Sequence, residues 1–158
     1  MTLRDRKITY IGTVEQGASG AELRVTEAYR AGLRGLGAFS HAVILWWAHE
    51  TEAAAQQTLV LPRPYTGSSG NVGVFATRSE ARINPIGLSV IEIAGVDETA
   101  GILHTYWIDT LLGTPLIDIK PYFPASDRVE MAAMPDWAAG WPQSLEASAD
   151  FDWEAAFK

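Results

Sequence analysis

The sequence predicts a single mostly-β domain, an antiparallel sheet or barrel with little helix. Short β-branched runs recur roughly every eight to twelve residues, separated by Gly, Pro, Asn and Asp turn signals. Glycines interrupt the stretches that might otherwise grow into helices. Neither the βαβα alternation of a doubly wound fold nor a GxGxxG after the first strand is present.

Taken in order, residues 7–14 (KITYIGTV) alternate and are rich in β-branched side chains, which predicts the first strand. Residues 21–26 form the second, with QGASG at 16–20 as the turn between them. Glycines at 32, 35 and 37 restrict residues 27–36 to irregular chain or one helical turn. Residues 41–48 (HAVILWWA) have the length and composition of a buried strand. The Ala, Glu and Gln of residues 50–57 (ETEAAAQQ) predict a short helix, after which 58–61 resume a strand. Residues 62–71 (PRPYTGSSGN) are a loop by composition. A short strand at 72–77 is broken by 78–85. Residues 87–96 form a strand through Leu88, Val90, Ile91 and Ile93, with 101–108 as its antiparallel partner. Residues 114–122 start a strand around Leu116, Ile117 and Ile119, which Pro121 and Pro124 end.

At 158 residues the chain fits one domain with a real core, and 47% apolar and 20% charged residues are ordinary values for a globular protein. The absence of Cys excludes disulfides, thiolate metal sites and Cys nucleophiles. The longest apolar run, residues 42–48, is too short to span a bilayer, so no membrane partner is expected. The opening MTLRDRKITYIG has no apolar signal core, and a cytoplasmic location is expected.

Net charge is -7, which counts against extended nucleic-acid binding. Residues 1–34 nevertheless carry Arg4, Arg6, Lys7, Arg24, Arg30 and Arg34, half of the 12 basic side chains. Arg63, Arg78, Arg82 and Lys120 could build a local basic mouth. Residues 128–158 are read as an acidic tail carrying Trp137, Trp141, Phe151, Trp153 and Phe157. These rings either plug apolar surface of the same subunit or cross to a partner or ligand site.

Three segments mix Gly, Pro, Ser, Thr and Arg with short apolar runs, as ligand-holding loops do. In residues 73–89 (GVFATRSEARINPIGLS), Asn84-Pro85 starts a turn and Gly87 permits close backbone approach, so the loop suits either a tight structural turn or an adenine edge. In residues 37–50 (GAFSHAVILWWAHE), His41 and His49 stand eight residues apart, about 26 Å along a strand. They cannot share a metal, and no metal site is expected. In residues 109–127 (DTLLGTPLIDIKPYFPASD), Asp118 and Lys120 share a strand face and form an ion pair or orient a substrate.

All three segments, in this order, resemble the TsaA/TrmO-like family of S-adenosylmethionine-dependent methyltransferases. The likeness covers roughly residues 7–127, which are taken as residues 1–127 of a small antiparallel β-barrel domain with short helices. GVFATRS followed by Arg82 and Asn84-Pro85-Ile86-Gly87-Leu88-Ser89 is similar to the family's most specific signature, with Ile83 in place of the usual Pro. The resemblance implies that Arg78 and the stretch Asn84, Pro85, Ile86, Gly87 and Leu88 face S-adenosyl-L-methionine. It implies the same for His49 and for Glu50, which replaces a common Gln. The third segment is similar to the family's DGTPVLDIKPY block, with Leu112 where an Asp commonly precedes Gly113-Thr114-Pro115. Asp109 is then the preferred acidic ligand beside Gly113 and Thr114.

What the resemblance implies is a methyltransferase, with N6-methylation of threonylcarbamoyladenosine 37 in tRNA as the best-known activity. A small-molecule acceptor and a non-catalytic cofactor-binding sensor remain the other readings. The family's Pro-Arg-Gln stretch is replaced here by residues 15–20 (EQGASG), and the sequence holds no counterpart to the second domain of longer tRNA-modifying relatives. His41, Asp118 and Tyr122 are candidates for taking a proton, and Arg82 and Lys120 for contacting substrate. A homodimer is expected. Clustering of Arg24, Arg30 and Arg34 beside the site would favour tRNA.

Overall fold

The computed structural model describes residues 7–157; Arg4 and Arg6 lie outside the described residues. The strands are β1 (Gly12–Gln16), β2 (Ala21–Val25), β3 (His41–Trp47), β4 (Val60–Leu61), β5 (Val72–Gly73), β6 (Ile86–Glu92), β7 (Gly95–Asp97), β8 (Ile102–Thr105) and β9 (Pro115–Pro121). Helix is limited to the single turns α1 (Ala53–Gln56), α2 (Pro124–Asp127), α3 (Leu145–Ser148) and α4 (Trp153–Ala156), with 3-10 turns at Glu27–Leu33, Leu36–Ala38, Val74–Ala76 and Asp136–Ala138. The chain forms two compact units. One runs to Thr51 and adds Asn84–Arg128; the other joins Glu52–Ile83 to Val129–Lys158.

The first unit is a seven-stranded sheet in the order β6-β3-β9-β1-β2-β8-β7, with every ladder antiparallel. The apolar run HAVILWW forms its centre. Ala42, Ile44 and Trp46 are buried, while the residues between them are half-buried on the other face. Val14, Leu23, Val25, Leu33, Leu103 and Leu116 are among the buried residues that share this core with them. The β1–β2 hairpin turns where expected, with the Gly17 N–H donating to the Gly20 carbonyl (3.0 Å).

The mostly antiparallel sheet is as expected, but a closed barrel is not found. β6 and β7 stand at the two ends of the order and share no ladder. The strand expected over 87–96 is split instead. Ile93 N–H donates to the Ser40 carbonyl (2.8 Å) and Ala94 N–H to the His104 carbonyl (2.9 Å). The chain therefore changes partner, from the β3 side to the β8 side, across two residues. The first strand also starts later than its alternation suggests. Ile11 N–H reaches the Leu116 carbonyl (2.8 Å), and β1 meets β9 only at Gly12 and Thr13, so residues 7–10 have no ladder to join.

Two local features set the β6-β3-β9 part. The Trp46 indole lies against Gly87 on β6, its Nε1–H donating to Ser89 Oγ (3.0 Å). A Cβ at Gly87 would overlap that ring, so close packing rather than a left-handed backbone explains the glycine. On the other side, the β3–β9 register jumps between Leu45↔Asp118 and Trp46↔Leu116, leaving Ile117 as a bulge. Without it, Leu116 and Asp118 would share a face. With it, Leu116 and Ile119 pack on the core, and Asp118 and Lys120 pair with the half-buried Leu45 and Val43.

In the second unit β4 pairs with β5, and Val74 N–H extends the contact to the Leu59 carbonyl (2.9 Å). The strand expected over 72–77 stops at Gly73 because Val74–Ala76 coil into a 3-10 turn closed by the Thr77 N–H on the Val74 carbonyl (3.1 Å). The tail aromatics gather around Tyr65. Trp137 stacks on it (4.6 Å, 15°), and Trp141 meets both rings edge-on and also touches Trp153 (5.4 Å each). Tyr65 and Phe157 form an isolated β-bridge.

Gly87→Ala is expected to lower unfolding free energy by about 1–3 kcal/mol through overpacking on Trp46; an unchanged denaturant midpoint would contradict that packing. Removing residues 137–158 uncovers Tyr65 and is expected to lower the melting temperature and cause aggregation. A truncated chain with unchanged melting and mass in solution would show that the ring cluster contributes nothing.

Candidate functional site

The β3–β6 ladder pairs Trp47 with Ile86, Trp46 with Gly87 and Leu45 with Leu88. Ala48 N–H continues it to the Pro85 carbonyl (2.8 Å), and Asn84–Ile86 is a tight turn closed by Ile86 N–H on the Asn84 carbonyl (2.7 Å). His49 and Glu50 follow β3 on that end of the sheet. The expected residues Asn84, Pro85, Ile86, Gly87, Leu88, His49 and Glu50 are thus assembled by one ladder. Pro85 is fully buried and pins the turn, whereas Ile86 and Leu88 expose apolar surface. Glu50 is mostly exposed, and its carboxylate lies 3.9 Å from His49 Nε2.

The same end receives the β8–β9 loop. Trp46↔Leu116 on the β3–β9 ladder puts the start of β9 beside the end of β3. Gly113 takes a left-handed φ of 82°, which a side chain would strain. Its N–H donates to the Val14 carbonyl (2.7 Å), and Val14 N–H donates to the Thr114 carbonyl (3.0 Å). This reciprocal clamp on β1 buries Thr114 and fixes the loop that carries exposed Asp109. Next to Asp109, the Thr110 hydroxyl is buried without a hydrogen-bond partner among the described residues. No residue type signals the clamp, because Val14 enters it through its backbone alone.

Asp118 and Lys120 form the ion pair expected of alternate residues (Oδ2–Nζ, 2.8 Å). The hydrogen bond and charge of Asp118 raise the Lys120 pKa above its ordinary value, so this amine stays cationic throughout the neutral range. The other Asp118 oxygen accepts from the Ile119 N–H (2.9 Å). Asp118 also borders a cavity of about 700 Å³ lined by Ile11, Tyr29, Leu33, Arg34 and Phe39, among others. Asp118 is the one predicted site residue on that wall.

His41 and Tyr122 stand apart from the cofactor candidates. His41 pairs with Glu92 and Trp47 with Ile86, six rungs apart, which is about 20 Å along the strand. The His41 and Tyr122 rings meet edge-on (6.4 Å), and His41 Nδ1 lies 2.9 Å from Ser40 Oγ. Among the described residues no three His, Asp or Glu side chains converge as metal ligands, and no helix is long and apolar enough to cross a membrane.

Arg24, Arg30 and Arg34 serve separate places. Arg24 bonds Glu15 (2.6 Å) and Glu22 (2.8 Å), the former chiefly raising its pKa. Arg30 reaches the Thr99 carbonyl (3.4 Å), and Arg34 lines the cavity. Arg78 and Arg82 belong to the second unit. Arg78 is exposed there, and Arg82 Nη1 donates to the Thr77 carbonyl (3.5 Å).

A family profile described as the tRNA-methyltransferase O N-terminal domain matches residues 11–128. The tRNA (adenine(37)-N6)-methyltransferase of Escherichia coli is 38% identical over 135 residues, 83% of this chain and 55% of that protein. A probable S-adenosyl-L-methionine-binding protein of Methanothermobacter thermautotrophicus is 38% identical over 109 residues, 69% of this chain and 74% of that protein. A crystal structure of TrmO superposes with a TM-score of 0.66 at 29% identity, covering 82% of this chain and 63% of that one. The chain therefore spans little more than half of the E. coli relative.

Asp118→Ala leaves the Ile119 N–H without its acceptor and is expected to cost about 1 kcal/mol. Asp118→Asn keeps an acceptor and loses only an exposed ion pair, so its denaturation midpoint should match the parent's. Equal denaturation midpoints for the two variants would contradict the assigned role of the backbone contact.

Proposed function

We propose the following reading for a chain that belongs to the tRNA-methyltransferase O N-terminal domain family. It binds S-adenosyl-L-methionine and transfers the methyl group, with N6 of threonylcarbamoyladenosine 37 in tRNA as acceptor. The E. coli and Methanothermobacter relatives support the two halves of this reading, methyl transfer to tRNA and cofactor binding. The observation that carries it is the gathering of His49, Glu50, Asn84–Leu88, Asp109, Gly113 and Thr114 on one end of one sheet by the β3–β6 and β3–β9 registers.

The residues fit the cofactor's chemistry. Glu50 and Asp109 offer exposed carboxylates to a methionine ammonium or ribose hydroxyls. Ile86 and Leu88 offer apolar cover, and the turn at Asn84–Ile86 offers fixed backbone groups to an adenine edge. The buried Thr110 hydroxyl is an unspent polar group in the same loop. When bound, the sulfonium supplies an activated methyl group. The chain's task is to hold the acceptor in line with it and exclude water. Of the three candidates for handling the acceptor's proton, Asp118 pairs with Leu45, on the cofactor half of the sheet, whereas His41 and Tyr122 are at the far end. With both oxygens engaged, Asp118 acts with Lys120 to position the acceptor. Arg78 and Arg82 are assigned by their motif alone.

Net charge of -7 is the observation that favours a small-molecule acceptor instead. We read the assembly as a homodimer, supported by the exposed apolar Ile86 and Leu88 on the terminal strand β6. A single-chain mass in light scattering at micromolar concentration would contradict it.

Glu50→Ala and Asp109→Ala should each weaken S-adenosyl-L-methionine binding about tenfold or more, the loss of one charge-assisted contact. Unchanged calorimetric affinity in both would refute the site. Transfer of labelled methyl to tRNA lacking the N6 methyl should map to adenosine 37. Tight cofactor binding with no label in tRNA would move the acceptor to a small molecule.

A further inference from the structure

We propose that Phe75 is a stacking platform for an unpaired base of the RNA acceptor, with the Arg82 guanidinium as the cation beside it. The inference rests on the RNA reading above. Phe75 is 78% exposed, more than any other aromatic side chain among the described residues. A loose loop does not account for this exposure. Phe75 is the middle residue of the 3-10 turn Val74–Ala76. Val74 before it is buried, and its N–H is tied to the Leu59 carbonyl (2.9 Å). Thr77 after it is also buried and closes the turn twice on the Val74 carbonyl, through N–H (3.1 Å) and Oγ1–H (2.9 Å). Arg82 Nη1 donates to the Thr77 carbonyl (3.5 Å), which holds a guanidinium at the end of the same turn. Two buried anchors and a closed turn therefore hold a bare phenyl ring in water.

The turn itself needs no aromatic residue at its middle position, and packing gains nothing from a ring so exposed. A ring this open is also a poor wall for a cofactor, because small-molecule sites enclose most of their ligand. Unpaired RNA bases are bound differently. They stack on outward-facing aromatic rings while neighbouring arginines take phosphate or a second base face. In a chain with a net charge of -7, affinity for RNA must come from such local contacts rather than a long-range field.

The test compares the parent chain with Phe75→Ala and Phe75→Trp. Affinity for tRNA lacking the N6 methyl is measured by filter binding, and affinity for S-adenosyl-L-methionine by calorimetry on the same preparations. Melting temperature checks that each variant is folded. Phe75→Ala is expected to weaken tRNA binding about tenfold or more, leave cofactor affinity within about twofold, and be rescued by Phe75→Trp. Parent-like tRNA binding in Phe75→Ala would overturn the inference and leave the RNA reading standing. A parallel loss of cofactor affinity would overturn it by assigning the ring to the cofactor. A parent chain that neither binds nor methylates tRNA would sink the RNA reading, and this inference with it.

Discussion

The contact between the Trp46 indole and Gly87 is the constraint on which the first unit turns. A large aromatic ring is buried in the centre of a sheet only if its polar edge is satisfied and its neighbour makes room. Ser89 accepts the indole N–H, and Gly87 leaves the space. Both lie on β6, so the packing of one β3 side chain fixes the β6 register. That register sets where β6 begins, and hence that the turn at Asn84–Ile86 meets the end of β3 at Ala48. A glycine in a signature rich in ligand-type residues invites a reading of backbone approach to a cofactor. The structure gives it a packing reason, and the residues proposed to hold the cofactor are placed as a consequence.

The other flank of β3 depends on the bulge at Ile117. One extra residue reverses the faces of everything beyond it. Leu116 and Ile119 both reach the core, although they are three apart, and the Asp118–Lys120 pair leaves it. The Ile119 N–H turns to the Asp118 carboxylate. The Val14 clamp on Gly113 and Thr114 then closes the loop leading into β9. Two ladders and one clamp thus bring three distant stretches of sequence to one sheet end, and the chain supplies little helix for any part of this.

The sequence was informative where a run had a strand's length and composition or a motif was specific. HAVILWW is a continuous apolar run of strand length and became β3. The QGASG turn fell between β1 and β2, and the Asp118–Lys120 pair followed from alternation. The barrel was not legible because it depends on whether the two end strands share a ladder, and residues 87–96 read as continuous although Ile93 and Ala94 divide their bonds between two neighbours. The shortened β1 was equally hidden, since KITY at 7–10 has strand propensity but no ladder to join. The cofactor candidates came from the family motifs rather than from composition. The convergence of all but Arg78 in the first unit needed registers that no local pattern encodes. Phe75 was quoted only as part of a motif, and its exposure is a property of the turn that carries it.

The central claim is that one end of the β6-β3-β9 sheet holds the cofactor. The most direct measurement follows backbone amide shifts by NMR as S-adenosyl-L-methionine is titrated into the protein. The account predicts shifts at Glu50, Ile86, Gly87, Leu88, Asp109 and Gly113, with His41, Glu92 and Tyr122 at the opposite end left in place. Saturable shifts centred on His41 and Tyr122, with the residues around Gly87 and Gly113 unmoved, would contradict it.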